Sequence, residues 1–406
     1  MIEKSKNHGL SFGKSSLLPQ EEMLETARKS KNLIIGIPKE SWIHESRVSL
    51  TPQAVELLVD QGHEVRIEQK AGEKASYSDT DYSECGGMIM DDSGMIYQSD
   101  IVLKVAPPTL KELSLMKGNQ VIFSSLHVSS QKEKYFRELM RKKITAIGFE
   151  NIKDKYDRFP VVRSMSEIAG LASILLASEY LDNVHGGKGV LLGGITGITP
   201  AEVVILGAGT AAEFAARAAL GLGATVKIFD TSVHKLKRLQ NYIGTRLQTS
   251  VFHPRVLEKV LSSADVVIGA VHMVDESPRY YVTEEMVKKM KKGSVIVDIS
   301  IDQGGCVETS ECQNLGSPFI VKHGVVHYAV SNIPSRVART ASIALSNVFT
   351  PILMNISDAG GIKHFLREDS GLRKGVYLFN GILTNPFIGR KYGILSKDIE
   401  LLLAAF

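Results

Sequence analysis

Residues 203–230, VVILGAGTAAEFAARAALGLGATVKIFD, constrain this chain more than any other stretch. A short apolar strand runs into Gly207, Ala208 and Gly209. A helix of small residues follows, and a second strand, 225–229, leads to Asp230. This is the dinucleotide-binding order G-x-G-x-x-A with an acid about 20 residues further on. Gly207 permits the tight turn, Gly209 lets the backbone approach a pyrophosphate, and Ala212 is small enough for the helix to pack on the strand. The helix start offers unpaired N–H groups and the positive end of its dipole to phosphate. Asp230 can accept from both ribose hydroxyls, and its charge repels a 2′-phosphate, so the expected cofactor is NAD rather than NADP. The competing explanation is a Gly/Ala helix packed tightly for structural reasons alone. The preceding strand, the following helix and the spaced acid together favour the nucleotide site.

The rest of the chain extends the alternation. Strands are expected over 33–37, 64–68, 100–105, 120–124 and 144–149, and again over 203–206, 225–229, 264–270 and 294–300, with helical segments between many of them. Strands alternating with helices imply parallel sheets. With 406 residues, 44% of them hydrophobic, the chain can fill two cores of ordinary size. The expected class is α/β, two α/β domains, the second a Rossmann-type doubly wound parallel sheet. Residues 1–31 are polar and form an extension with one helical stretch, 21–28. Residues 32–163 and 336–406 form the substrate domain, the C-terminal piece packing back on it, and 164–335 form the nucleotide domain. One helix is marked locally: Thr51 as N-cap, Pro52 at the first helical position, Ala54, Leu57 and Leu58 turned inward, and Gly62 as the stop.

Composition excludes other classes. A net charge of +4 is too small to suggest nucleic acid, and the basic run 132–143 carries Tyr135, Phe136, Leu139 and Met140 at helical spacing, which describes an amphipathic helix with a solvated face. Cys85, Cys306 and Cys312 are few and odd in number, so no disulfide framework is expected. No N-terminal segment resembles a signal peptide. No run of about 18 uninterrupted apolar residues predicts a membrane span. A cytoplasmic protein is expected. His323 and His327 are spaced i, i+4 but lie in a strand-like segment without the glutamate of a helical zinc motif, and no metal site is expected.

In α/β sheets, ligands sit beyond the carboxyl ends of strands. Arg47 follows the first strand and can bind a carboxylate with its guanidinium fork, or pair with Glu45 or Glu40. His127 follows strand 121–124 and can serve as acid or base, or be a structural histidine. Asp302 follows strand 294–300 and precedes Gln303, Gly304 and Gly305. It can hold a ribose, orient a proton relay or form an Asx-turn. Asn332 sits in a similar loop.

These residues lie within blocks by which the chain resembles the alanine dehydrogenase family, related to the NAD-binding part of proton-translocating transhydrogenase. The blocks are GIPKE…E-x-RV-x-LTP (36–52), GHEV (62–65), LKV-x-x-P (103–108), SLH (125–127), MSEIAG (165–170), VVILGAGT (203–210), VIVDISIDQGG (295–305) and NIPS-x-V-x-RT (332–340). The resemblance implies a carboxylate-binding role for Arg47 and catalytic roles for His127 and Asp302. It implies cofactor contacts at Ser166, Gly209, Asp230, Lys235 and Asn332, the last also beside the substrate; Gly207 and Thr210 join them as members of the glycine turn. It also implies a homohexamer. The implied reaction is NAD-dependent oxidative deamination of a small L-amino acid, with alanine and pyruvate as the expected substrate pair. A transhydrogenase-like hydride-transfer subunit and a non-catalytic NAD-binding module are the alternatives. One position departs from the family block LKV-K-x-P: the substrate lysine is replaced by Ala106. Lys104 matches a different lysine of the family block, but two residues earlier on the same face of a strand it can lean toward the same pocket.

Overall fold

The computed structural model describes residues 30–128, 131–272 and 280–405. The expected helix at 21–28, and nearly all of the N-terminal extension, lie outside the described residues.

Fifteen strands fall into two sheets among the described residues. In the first, β1 (Ile34–Ile37), β2 (Glu64–Glu68), β3 (Met88–Met90), β4 (Ile101–Leu103), β5 (Val121–Ser124) and β6 (Thr145–Gly148) are all parallel. In the second, β7 (Glu202–Leu206), β8 (Thr225–Asp230), β9 (Gln248–Val251), β10 (Val266–Gly269), β11 (Val295–Asp298) and β13 (Val325–Tyr328) are parallel, and β12 (Phe319–Lys322) runs antiparallel at the edge. The chain then returns to the first sheet, where β14 (Val376–Phe379) pairs antiparallel with β6 and with β15 (Ile382–Leu383). The spatial orders are β15-β14-β6-β5-β4-β1-β2-β3 and β12-β13-β11-β10-β7-β8-β9. Each order reverses beside a central strand, between β1 and β4 and between β7 and β10. Such reversals open crevices at the carboxyl ends of the strands.

Central strands are continuous apolar runs because helices cover both faces of a parallel sheet; β5, β10, β11 and β13 are buried throughout. Helix α1 (Pro52–Asp60) starts as expected, with the Thr51 hydroxyl accepting from the Ala54 N–H. Its inward face differs from the expectation. Pro52, Ala54, Val55 and Leu58 are buried, whereas Leu57 is 53% exposed. At about 100° per residue, Val55 falls between Leu58 and Pro52 while Leu57 lies on the outer flank.

Two long helices join the lobes. Helix α2 (Pro160–Tyr180) leads from the first sheet to the second and packs along α3 (Thr210–Gly221). That approach needs Gly170, where a Cβ would come within 2.1 Å of the Ala211 carbonyl oxygen. The return runs through a 3₁₀ turn (Ile333–Val337) into α4 (Ala338–Asp358). By length and apolar composition, α2 and the segment 333–358 could cross a membrane. Packing accounts for much of their apolarity: Ala172, Ile174, Leu176 and Ala177 fill the second core, and Leu345, Phe349 and Leu353 fill the first. Cys85, Cys306 and Cys312 are all free thiols.

Candidate active site

The glycine turn after β7 has the conformation the sequence predicts. Gly207 sits at φ +107°, and a Cβ there would meet the Ala270 carbonyl oxygen at 2.4 Å. Gly209 precedes α3, and a Cβ built on it would point into open space, so a side chain would occupy a region the backbone leaves clear. Thr210 opens α3. Ala212 is fully buried against the sheet. At the end of β8 the Asp230 carboxylate, almost entirely buried, accepts from the Ala208 N–H at 2.7 Å and the Ser232 N–H at 2.8 Å. It thereby ties the glycine turn to the start of the next helix (Val233–Ile243), on which Lys235 is exposed. An open glycine cradle beside a fixed carboxylate fits the pyrophosphate and ribose of a dinucleotide.

Across the cleft, Arg47 extends from the segment after β1. Its Nε donates to Glu45 Oε1 at 2.8 Å and its Nη2 to Glu45 Oε2 at 2.6 Å, and Nη1 lies 3.3 Å from the Met165 sulfur on α2. Glu45 is the ion-pair partner foreseen for Arg47, but the pair lies inside the site rather than on the surface, with side-chain exposures of 12% and 1%. Burial works against charge on Glu45, yet Arg47 outweighs it and holds the carboxyl below its ordinary range. Burial likewise opposes the guanidinium, and Glu45 more than compensates. Asn332, left-handed at φ +61°, donates its side-chain amide to Glu45 Oε2 at 2.9 Å. The Ser335 hydroxyl accepts from the Ser46 N–H at 2.7 Å. The segment after β13 is thus fastened directly to the segment carrying Arg47.

His127 follows β5 at φ +41°, exposed to the cleft. Asp302 lies on a 3₁₀ turn (Ile299–Gln303) after β11. That turn is pinned by the fully buried Asp298, which accepts from the N–H groups of Ser300 at 3.0 Å and Cys306 at 3.1 Å. Asp302 touches solvent, but the surrounding protein raises its pKa; the Asn332 backbone N–H, His127 and Arg47 act in the opposite direction. The fold therefore gathers Arg47, His127, Asp302 and Asn332 at one cleft. Ser166, half-buried, follows Met165 on α2. The sequence names Glu45 only as a surface alternative for pairing Arg47, not as part of the site, and does not single out Glu150. The E-x-R spacing was the available signal for Glu45. None existed for Glu150, which reaches back 24 residues to the Leu126 N–H.

Lys104 does not stand in for the missing lysine. Its ammonium is fully buried, 2.5 Å from Glu40 Oε2 and 3.7 Å from Glu112 Oε1. The same Glu40 accepts from the Val105 N–H at 2.6 Å and the Ala106 N–H at 3.3 Å. A buried ammonium held this way is committed to its carboxylates. The two histidines set aside earlier are also accounted for: His327 is fully buried between the Thr309 hydroxyl and the Val325 carbonyl, and His323 pairs with Glu284.

A Rossmann-type lobe facing a second α/β lobe, with a guanidinium, an imidazole and a carboxylate gathered in the cleft between them, defines a two-lobed dehydrogenase. The chain matches the family models "Alanine dehydrogenase/PNT, N-terminal domain" over residues 36–169 and "Alanine dehydrogenase/PNT, C-terminal domain" over 173–386. It belongs to the alanine dehydrogenase/PNT family. Among its relatives, an alanine dehydrogenase of Staphylococcus saprophyticus is 39% identical over 369 residues, covering 91% of this chain and 99% of the relative. An alanine dehydrogenase 2 of Staphylococcus aureus is 37% identical over 367 residues, covering 90% and 98%. In structure the chain is similar to an L-alanine dehydrogenase, with a TM-score of 0.84 at 36% identity over 89% of this chain and 99% of the other. It shares its fold with a transhydrogenase from Sinorhizobium meliloti, with a TM-score of 0.74 at 22% identity over 87% and 99%.

Proposed function

We propose that this protein catalyses NAD-dependent oxidative deamination of a small L-amino acid, with L-alanine and pyruvate as the first substrate pair to test. The observation that carries the reading is the meeting of Arg47, His127 and Asp302 at one cleft, opposite the glycine turn. Gly207, Gly209, Thr210, Asp230, Lys235 and Ser166 would hold the dinucleotide, which supplies the hydride acceptor when bound. Arg47, its fork steadied by Glu45, holds the substrate carboxylate through its remaining N–H donors. His127 moves a proton at its ring nitrogen as water adds and ammonia leaves. Asp302 steadies positive charge on that imidazole. Asn332 bridges the two lobes beside the substrate. The division follows the two sheets: residues 32–163 with 336–406 form the substrate domain, and 164–335 the nucleotide domain.

A screen of NADH formation across small L-amino acids tests the reaction, and absence of turnover with every one of them, alongside intact NADH binding, would sink it. Ala106 shapes the expected outcome. Losing one positioned electrostatic contact costs on the order of 10²–10³ in rate, so turnover of alanine is expected to be slow, or the preferred side chain to be larger. Ala106→Lys is expected to raise kcat/KM for alanine. The cofactor preference has its own check. Asp230→Asn is expected to narrow the preference for NAD over NADP by roughly tenfold, measured as the ratio of kcat/KM values.

Self-association belongs to the same proposal. Leu171 and Leu175 on α2, Ile343 on α4, and Leu191, Ile195 and Ile198 in the loop after α2 are exposed apolar side chains, consistent with a homo-oligomer, a hexamer by family likeness. A cytoplasmic location accords with the free thiols and a nicotinamide cofactor.

A further inference from the structure

The carboxyl of Glu150 lies beneath the turn that presents His127, and the reaction described above makes no use of it. Glu150 stands on a short 3₁₀ turn (Phe149–Asn151) directly after β6. Because β5 and β6 are parallel, with Ser124 in register with Gly148, the two strands deliver the His127 and Glu150 turns side by side. Glu150 Oε1 accepts from the Leu126 N–H at 2.6 Å, and the carboxyl also receives the His127 backbone N–H. Those bonds brace a non-glycine residue in the left-handed region, a conformation that costs about 1 kcal/mol or more and persists where its surroundings enforce it. The other oxygen, Oε2, is buried with no protein partner. Gly148 keeps the arrangement compact: a Cβ there would stand 3.2 Å from the Leu126 Cβ and 3.4 Å from Glu150 Oε2.

We propose that Glu150 is the positioning residue for His127, bracing the backbone of its turn and, when ionised, acting as a counter-charge beside the imidazole. This rests on the acid–base role given to His127 above. It also separates the duties of two carboxyls. Asp302 reaches His127 from the second lobe, whereas Glu150 belongs to the same lobe as His127, so its support does not depend on how the cleft is closed. The groups facing this pair are Asp302 from across the cleft and, next to it, Arg47 of the same lobe; Lys391, whose ammonium donates to the Val128 carbonyl at 3.2 Å; and the buried phenols of Tyr135 and Tyr377 below. Burial raises the Glu150 pKa, while the backbone N–H groups and His127 pull it back toward the charged form.

The test does not require turnover. Diethyl pyrocarbonate carboethoxylates neutral imidazole, and tryptic cleavage releases residues 118–132 as a peptide whose one histidine is His127. The pH of half-maximal modification is read by mass spectrometry for the full-length wild type and for Glu150→Gln. The amide keeps an oxygen acceptor and removes the charge. The midpoint is expected to fall by about half a pH unit or more, since loss of a nearby anion disfavours imidazolium. Glu150→Ala is expected to lower kcat at least tenfold with NADH affinity within twofold of wild type, and Glu150→Gln to recover part of that loss, on the scale of general acid–base contributions. An unmoved midpoint in Glu150→Gln would overturn the counter-charge. A Glu150→Ala enzyme with wild-type kcat would overturn the bracing. Because the modification midpoint is independent of substrate, failure of the deamination reading and failure of this inference are told apart.

Discussion

His127→Asn is expected to lower kcat/KM for NADH formation by about 10²–10⁴, the range of general acid–base contributions, while the dissociation constant for NADH stays within twofold of wild type. Asparagine is the informative replacement. His127 sits at φ +41°, and asparagine tolerates the left-handed region better than most side chains, so the turn is preserved while the titrating ring is lost. A bulky or β-branched residue would confound lost chemistry with a rebuilt loop. Steady-state rates with the amino acid identified by the substrate screen, and NADH binding followed by fluorescence, decide the matter. Activity within tenfold of wild type would remove His127 from the chemistry.

Arg47→Leu is expected to damage the protein twice over. The substrate loses a charged hydrogen-bonding partner worth about 1.5–3 kcal/mol, so KM should rise roughly 10- to 100-fold. The fold also loses the partner of a buried carboxylate, which costs about 3–5 kcal/mol. The pH dependence identifies the second effect. In the wild type Glu45 has a depressed pKa, so its pair contributes stability above the ordinary glutamate pKa, and that contribution is lost as pH falls through the lower, folded value. In the variant, burial acts on Glu45 without Arg47 and its pKa rises. Destabilisation should then be greatest at neutral pH and shrink on acidification toward about pH 4, as the unpaired carboxyl takes up a proton. Thermal melts of both proteins from pH 4 to 8 measure this; a stability gap independent of pH would mean that Glu45 finds another partner.

The sequence conveys the central strands clearly because burial on both faces leaves no room for polar residues. Strands β7, β10 and β11 are apolar runs bounded by turns, and each was expected within a few residues of its observed ends. Peripheral strands lack that signature. β9 reads QTSV and is largely exposed, β12 is half-exposed, and β14 and β15 follow a helical tail, so their pairing is decided by what lies beside them. The site divides the same way. Arg47, His127, Asp302 and Asn332 each follow a strand, and that local fact draws attention to them. The commitment of Lys104 to Glu40 and the reach of Glu150 to the Leu126 N–H span 64 and 24 residues. Such long-range pairings leave no periodic trace.

The return of β14 to the edge of β6 has a consequence for biosynthesis. Domains usually fold in the order in which they leave the ribosome. Here the sheet begun by the earliest strands waits for residues 376–383, while the intervening lobe has already emerged whole. A nascent chain halted before Val376 would carry β6 as a bare rim, the kind of surface that recruits stray strands, so chaperone dependence in this protein should be concentrated on its first-made half.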